Sequence, residues 1–450
     1  MTRIVVRPAN KPLSGSVPVP SDKSIGHRAF IFASLARGKS RIRSFSYGED
    51  NVATMKAFAA MGVGVEDDAQ GTVTVLGRGL SELSAPADPI DCGNSGTTMR
   101  LLAGVLAAQP FRSRMIGDAS LSRRPMGRVA RPLRARGACI EGAAHPTRKD
   151  EITAPLDIGP LAPGVRLTGL EYRIPVASAQ VKSALLLSGL FASGPTIVFE
   201  PLLSRDHTER MLSALGVPIR AAGTMVSLEP PDDPGIIREF DVELPGDLSA
   251  SAFLLCAAEI VEGSVVTTRR TGLNPTRTGI IDVIRAFGGT IAAEPQGDVL
   301  GEPFGAVTAR ASSLVASPVG GELATRAIDE IPIACSLAAR ARGTTVFSDV
   351  GELRVKESDR IARVVALLRD FGVSAEESEE GFVVEGRPDG RLRAARVTSH
   401  GDHRIAMTAC VLGLVAEGET VVEDADCIAT SFPRFVGTLR ALGADIEVSA

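Results

Sequence analysis

One pattern recurs six times along the chain and limits what it can fold into: an amphipathic helical stretch, a glycine, then a short strand-like run. It reads KAFAAMGVGV, RPLRARGACI, RMLSALGVPI, VIRAFGGTI, ALLRDFGVSA and TLRALGADI, with Gly62, Gly137, Gly216, Gly288, Gly372 and Gly443 at the break. The glycines fall roughly 75 residues apart, the signature of an internal repeat. Glycine just past the last helical turn fits a C-cap that needs positive φ. A second pattern alternates with the first: a polar start, an Ala/Leu-rich helix, a small turn and a strand. Its copies begin DKSIGHRAFIFASLA, NSGTTMRLLAGVLAA, SAQVKSALLLSGLFA, DLSASAFLLCAAEIV, DEIPIACSLAARA and DHRIAMTACVLGLVA. These helices are apolar nearly all round, which predicts burial on most sides; the glycine-terminated helices have a polar face and belong nearer solvent.

Each repeat therefore holds two helices and several short strands. At 450 residues the chain is too long for one core, and three repeats per domain in two domains fill it. PSDKS at 20–24 and PGDLS at 245–249 echo each other half a chain apart, and the Pro-rich EPPDDPG at 229–235 precedes the second copy. The expected layout is residues 1–20 with 243–450 in one domain and 21–242 in the other. The opening strands (3–8 and 13–18) return to the first of these, and a substrate cleft lies between the two.

The polar starts of the apolar helices carry cations. Lys23 and Arg28 lie at the first, Arg100 at the second, Lys182 at the third, and His403 with Arg404 at the sixth. Near the other helix family lie Arg123, Arg124 and Arg128 in SRRPMGR, Arg205 in SRDHTE, Arg277 in NPTR, and Lys356 with Arg360 in RVKESDR. A helix N-terminus already carries partial positive charge, so a cation there costs about 0.3–1 kcal/mol unless an anion offsets it. Any one of these residues alone reads as a solvated surface charge. As a set, among Ser, Thr, Asn and Gly, they predict a cleft that binds substrates with several negative charges. Acids stand among them: Asp329 and Glu330 at the fifth start, Glu357 between Lys356 and Arg360, and Asp402 before His403. A carboxylate in such company is a structural ion pair or, in a closed cleft, a general acid or base.

Composition excludes several classes. Net charge is -4, from 49 basic and 53 acidic residues, which gives no pull toward nucleic acid or membrane. Trp is absent and Tyr occurs twice, so there is little to stack bases on. Cys92, Cys139, Cys256, Cys335, Cys410 and Cys427 form no CxxC or zinc spacing and read as reduced core residues of a cytoplasmic protein. MTRIVVRPAN lacks a secretory h-region, and no apolar stretch reaches the ~18–20 residues of a membrane span. There is no Walker A motif, no GxGxxG after a strand and no metal-ligand spacing, so neither a nucleotide, a cofactor nor a metal is expected.

Ten ordered motifs give the chain a family resemblance over nearly its whole length: DKSIGHR, GNSGTTMR, RRPMGR, SAQVKSA, SRDHTE, NPTRTG, IDEIPI, LRVKESDR, GDHRIAM and IATSFP. The chain resembles the EPSP synthases (3-phosphoshikimate 1-carboxyvinyltransferases). SAQVK, RDHTE and NPTR are similar to the second bacterial class, many of whose members tolerate glyphosate. The resemblance implies a two-domain inside-out α/β barrel, each domain three βαβαββ repeats with buried helices and outer sheets. It implies transfer of the enolpyruvyl group of phosphoenolpyruvate to the 5-hydroxyl of shikimate 3-phosphate, with release of phosphate, by addition and elimination. These two small molecules are the expected partners of a monomeric enzyme of aromatic amino acid and chorismate biosynthesis.

Carried over by motif, Lys23, Ser24, Arg28, Ser178, Ala179, Gln180, Arg205, Asp329 and Lys356 would bind shikimate 3-phosphate. Lys23, Asn94, Gly96, Arg124, Gln180, Arg360 and Arg404 would bind phosphoenolpyruvate. Asp329 would accept the 5-hydroxyl proton, Glu357 would protonate the enolpyruvyl methylene, and Lys23 would stand near both substrates. The chain departs from common family patterns at Thr430 (often Lys), Leu101 (often Pro) and Ser21 (often Gly), and it has Gly96 where some tolerant members have Ala. Two alternatives stand beside this reading. One is a UDP-N-acetylglucosamine enolpyruvyl transferase, which usually carries a Cys in the loop where this chain has GDASLSRRPMG. The other is a non-catalytic anion-binding protein on the same repeats.

Overall fold

The computed structural model describes residues 2–449. Helices α1 (Lys23–Leu35), α2 (Glu49–Ala60), α3 (Gly96–Leu106), α4 (Gly127–Ala135), α5 (Ala179–Gly189) and α6 (His207–Ala214) come first. They are followed by α7 (Leu248–Ile260), α8 (Gly279–Ala286), α9 (Gly321–Arg326), α10 (Ile331–Arg340), α11 (Arg360–Asp370), α12 (His403–Gly413) and α13 (Phe435–Ala441). Each polar start in the sequence opens an inner helix: α1, α3, α5, α7, α10 and α12. Five have a side-chain cap on a backbone N–H, as Asp and Ser are suited to give. Asp22 accepts from Ile25, Ser95 from Thr98, Ser178 from Val181, Asp247 from Ser249 and Asp402 from Arg404. In α10 the first turn instead carries Pro332, which has no N–H to satisfy. The six glycines that end α2, α4, α6, α8, α11 and α13 all have φ between +75° and +104°, the left-handed cap the repeats predicted.

The chain divides into two compact units. One, the middle unit, is Ser21–Leu244 with Asp298–Glu302. The other, the terminal unit, holds the chain through Pro20, then Pro245–Gly297, and the chain from Pro303 on.

In the middle unit, three four-stranded sheets surround α1, α3 and α5. Their strand orders are 241–243/37–43/73–78/64–67, then 90–91/113–116/152–158/140–144, then 170–173/196–199/225–228/219–222. In each, the first pair is parallel and the others antiparallel. The parallel pairs of the second and third sheets are βαβ crossovers through α3 and α5, and in the first sheet 241–243 returns from the far end of the unit to pair with 37–43. The core is one cluster running from Ile25, Phe30 and Phe32 through Leu101 and Leu102 to Leu185–Leu187. A Cβ at Gly104 in α3 would lie 2.2 Å from the Ala184 carbonyl of α5, so these two helices meet backbone to backbone.

In the terminal unit α7, α10 and α12 pack on one another, and all thirteen residues of α7 are buried. Residues 3–6 lie between 420–423 and 446–449, antiparallel to both. Residues 14–18 run parallel to 265–272. The third sheet has only the strands 344–347, 381–385 and 374–378. The place of a fourth is held by isolated bridges, Val315 to Arg342 and Val319 to Phe347. Pro318 lies in that stretch and has no N–H for a ladder. The fifth repeat thus keeps the order of the others, with its first strand reduced to two bridges.

All six cysteines are free. Cys92, Cys256, Cys335 and Cys410 are buried, but Cys139 is exposed and Cys427 only half-buried, so these two are not the core residues expected. Among the described residues no helix is long and apolar enough to cross a membrane.

Candidate active site

In the middle unit the candidate residues sit at the entrances of α1, α3 and α5 and in the loop before α6. Lys23 is the first residue of α1, and its Nζ lies 2.9 Å from Asp50 Oδ2 at the start of α2. Arg28, one turn further in, is 3% exposed. Its Nε donates to Thr208 Oγ1 (2.7 Å), its Nη2 to Ser183 Oγ (2.7 Å) and its Nη1 to the Ser24 carbonyl (2.9 Å). A guanidinium has five N–H donors, and these bonds use three. Burial lowers the Arg28 pKa to about 10, against the pull of Glu209, Glu302 and Asp22, which leaves it charged at neutral pH.

Gln180, in the first turn of α5, accepts from Arg100 Nη1 at 2.6 Å and donates to Thr97 Oγ1 at 2.9 Å. Ser178 caps that helix and Ala179 begins it. Arg124 Nη2 donates to Asn94 Oδ1 (2.6 Å) and Ser120 Oγ (3.3 Å), while Asn94 Nδ2 donates to Asp118 Oδ2 (2.7 Å). Gly96 lies under this arginine pair: a Cβ there would stand 2.8 Å from Arg100 Nη1 and 3.4 Å from Arg124 Nη1. Arg205 is half-buried in the loop that leads into α6.

In the terminal unit the candidate residues converge on Asp329. Its carboxylate lies 3.7 Å from Arg277 Nη1, 3.8 Å from Lys356 Nζ and 3.9 Å from Arg360 Nη1. Its carbonyl accepts from Arg404 Nη1 at 2.6 Å. Arg360 Nη2 also pairs with Glu357 Oε2 at 2.8 Å, and its Nε with Asp402 Oδ2 at 2.9 Å. Burial works against charge on Arg360, but Glu357, Asp402 and Asp329 outweigh it and raise the guanidinium pKa further. The buried imidazole of His403 is pushed down to about 4, first by burial and then by Arg404. It is neutral at pH 7 and adds no cation here.

Three features were missed or misread in the sequence. Lys182 is not an open cation: its side chain is fully buried, 2.6 Å from Glu200 Oε2 and 2.7 Å from Glu209 Oε1. Arg277 stands in the sequence as one charge among many, yet it braces Asp329. Asp50, the partner of Lys23, carries no sequence signal, because an acid in a first helical turn is ordinary. His27 is buried in α1 with Nδ1 2.7 Å from Thr54 Oγ1, and Thr54 in turn bonds Thr98. It ties α1 to α2 and α3.

Caged cations, paired carboxylates and inner helices aimed N-terminus first are the equipment of an enzyme that handles phosphorylated anions. The sequence model of EPSP synthase (3-phosphoshikimate 1-carboxyvinyltransferase) matches residues 8–439, and the chain belongs to that family. It is 48% identical over 427 residues to the 3-phosphoshikimate 1-carboxyvinyltransferase of Geobacter sulfurreducens, covering 95% of this chain and 96% of that one. To the enzyme of the same name from Bacillus thuringiensis strain Al Hakam it is 43% identical over 442 residues, 98% and 100% of the two chains. Among solved structures it is similar to the EPSP synthase of Acinetobacter baumannii, with a TM-score of 0.89, 39% identity and full coverage of both chains. The inside-out α/β architecture is that of this family. The UDP-N-acetylglucosamine alternative is not favoured.

Proposed function

We propose that this chain is a working EPSP synthase and that the residues described above carry its reaction. The enzyme transfers the enolpyruvyl group of phosphoenolpyruvate to the 5-hydroxyl of shikimate 3-phosphate and releases phosphate. The observation that carries the site assignment is Asp329, ringed by Arg277, Lys356 and Arg360 and fixed through its carbonyl by Arg404. A carboxylate so placed is available to take the 5-hydroxyl proton. Glu357, against Arg360, exchanges the proton at the methylene carbon. Lys23, Arg124, Arg360 and Arg404 bind phosphoenolpyruvate with Asn94, Gly96 and Gln180, and stabilise the phosphate as it leaves. Lys23, Ser24, Arg28, Ser178, Ala179, Gln180, Arg205, Asp329 and Lys356 hold shikimate 3-phosphate. The two compact units are its domains, and the enzyme acts as a cytoplasmic monomer.

A phosphate-release assay tests the activity. Phosphate is expected with shikimate 3-phosphate plus phosphoenolpyruvate and not with UDP-N-acetylglucosamine plus phosphoenolpyruvate. No turnover with either acceptor would return the chain to a binding-protein role. Sedimentation at assay concentration checks the monomer. For glyphosate, the space at Gly96 is the lever: Gly96→Ala should press on Arg100 and Arg124 and weaken inhibition and phosphoenolpyruvate binding together. Tight inhibition unaffected by the added methyl would sink the steric account.

A further inference from the structure

SAQVK and SRDHTE each contain a charged residue that the proposed site leaves idle: Lys182 and Glu209. Their side chains are 0% and 5% exposed, and Lys182 Nζ meets Glu209 Oε1 at 2.7 Å and Glu200 Oε2 at 2.6 Å. Burying such charges is costly, and an ion pair is no better for stability than apolar residues of the same volume, so stability alone does not explain them. Each has a neighbour that touches Arg28. Ser183 follows Lys182, and Thr208 precedes Glu209. Arg28 donates Nη2 to the first hydroxyl and Nε to the second, and the two hydroxyls are themselves 2.7 Å apart. Lys182 lies in the first turn of α5 and Glu209 in the first turn of α6.

We infer that Lys182 and Glu209 are positioning residues for Arg28: their ion pair ties the first turns of α5 and α6 together, so that Ser183 and Thr208 jointly aim the guanidinium. Glu200 completes the tie. It takes the other side of Lys182 and holds Ser204, which precedes Arg205, through that residue's hydroxyl and its N–H (3.4 Å). The pair thereby governs affinity for shikimate 3-phosphate and leaves phosphoenolpyruvate to other residues. This rests on the reading of Arg28 as a ligand of shikimate 3-phosphate.

The test is calorimetric titration of the full chain with shikimate 3-phosphate, with steady-state kinetics alongside. Glu209→Gln keeps shape and an acceptor oxygen while removing the charge. It should raise the shikimate 3-phosphate Kd about tenfold and leave the phosphoenolpyruvate KM within about twofold. In an Arg28→Ala background the same substitution should cost nothing more, because the group it aims is gone. Lys182→Met should behave likewise, and adding Glu209→Gln to it should do no further harm. If Lys182→Met does not fold, Glu209→Gln still decides. An equal loss in the Arg28→Ala background, or a parallel rise in the phosphoenolpyruvate KM, overturns the inference. If Arg28→Ala itself leaves shikimate 3-phosphate affinity unchanged, the assignment of Arg28 fails first and this inference falls with it.

Discussion

The entrances of α1 and α7 were built from the same pattern, Pro-x-Asp-x-Ser, and they have diverged in one respect. At both, the Asp caps the helix, accepting from Ile25 N–H in α1 and from Ser249 N–H in α7. At α1 the positions after the cap carry charge: Lys23 reaches Asp50, and Arg28 reaches across to Ser183 and Thr208. At α7 the matching positions are Leu248 and Phe253, both 1% exposed, and Phe253 packs edge-on against Phe435. The α7 entrance takes its cation from another segment instead. Arg277 Nη2 donates to Ser249 Oγ (2.6 Å) and pairs with Asp247 (3.4 Å), while its Nη1 faces Asp329. The cap is thus the inherited structural part and the flanking side chains are the variable chemical part. A duplicated entrance can lose its own cations and still serve an anion site through an imported one.

The largest expected effect separates the twins directly. Lys23→Ala should lower kcat/KM about 10³-fold or more with circular dichroism unchanged. Leu248→Ala should instead cost about 2–4 kcal/mol of stability and spare the activity of the folded fraction. If both variants lose mainly stability, the division between cap and chemistry is wrong. Next, Arg277→Met should lower kcat by about 10–100-fold, because Asp329 loses one of its three cations. An unchanged kcat would mean the imported cation serves only the cap.

Two smaller effects use titration. His27 is held near a pKa of 3, chiefly by burial, against 6.5 for an ordinary imidazole. Its contribution to stability is therefore whole above pH 6.5 and is lost as pH falls from there toward 3, with a slope of up to about 1.4 kcal/mol per pH unit. The position is Ala252 in α7, which does not titrate. Melting temperatures of the wild type and His27→Gln, compared between pH 7 and 4, should converge as pH falls. Parallel curves would show that His27 is not kept neutral by the fold. In α7 the titrating residue is Glu259, whose buried carboxyl is pushed up to about 7. The sign reverses: the native state holds the proton, so stability declines as pH rises from 4.5 to 7. Glu259→Gln should gain about 1 kcal/mol at pH 8 and nothing at pH 4. A gain that does not depend on pH would point to packing.

What the sequence reveals of this molecule follows from the range of the forces involved. Caps and glycine stops act within one helical turn, so all six inner helices and all six left-handed glycines are legible from local residues. So is the list of cations. What becomes of each cation is not, because that depends on burial and on partners far along the chain. Lys182 resembles Lys23 in its surroundings, yet Glu200 and Glu209 bury it. His207 finds Glu302 at 2.9 Å, a residue that belongs to the middle unit although it lies well inside the second half of the chain. The weakened fifth sheet turns on Pro318, whose effect depends on which strand it would have to join.

The strand Arg3–Val6 has a consequence for biosynthesis. Both of its hydrogen-bonding neighbours, Thr420–Glu423 and Ile446–Ser449, are made more than 400 residues after it. The middle unit is nearly continuous in sequence and can gather its helices while translation proceeds. The terminal unit cannot, and Arg3–Val6 must stay unpaired until those neighbours are made. Arg3 and Arg7, which in the finished protein face Glu423 on one side and Asp445 and Glu447 on the other, are the kind of charges that keep such a waiting strand from pairing with the wrong chain.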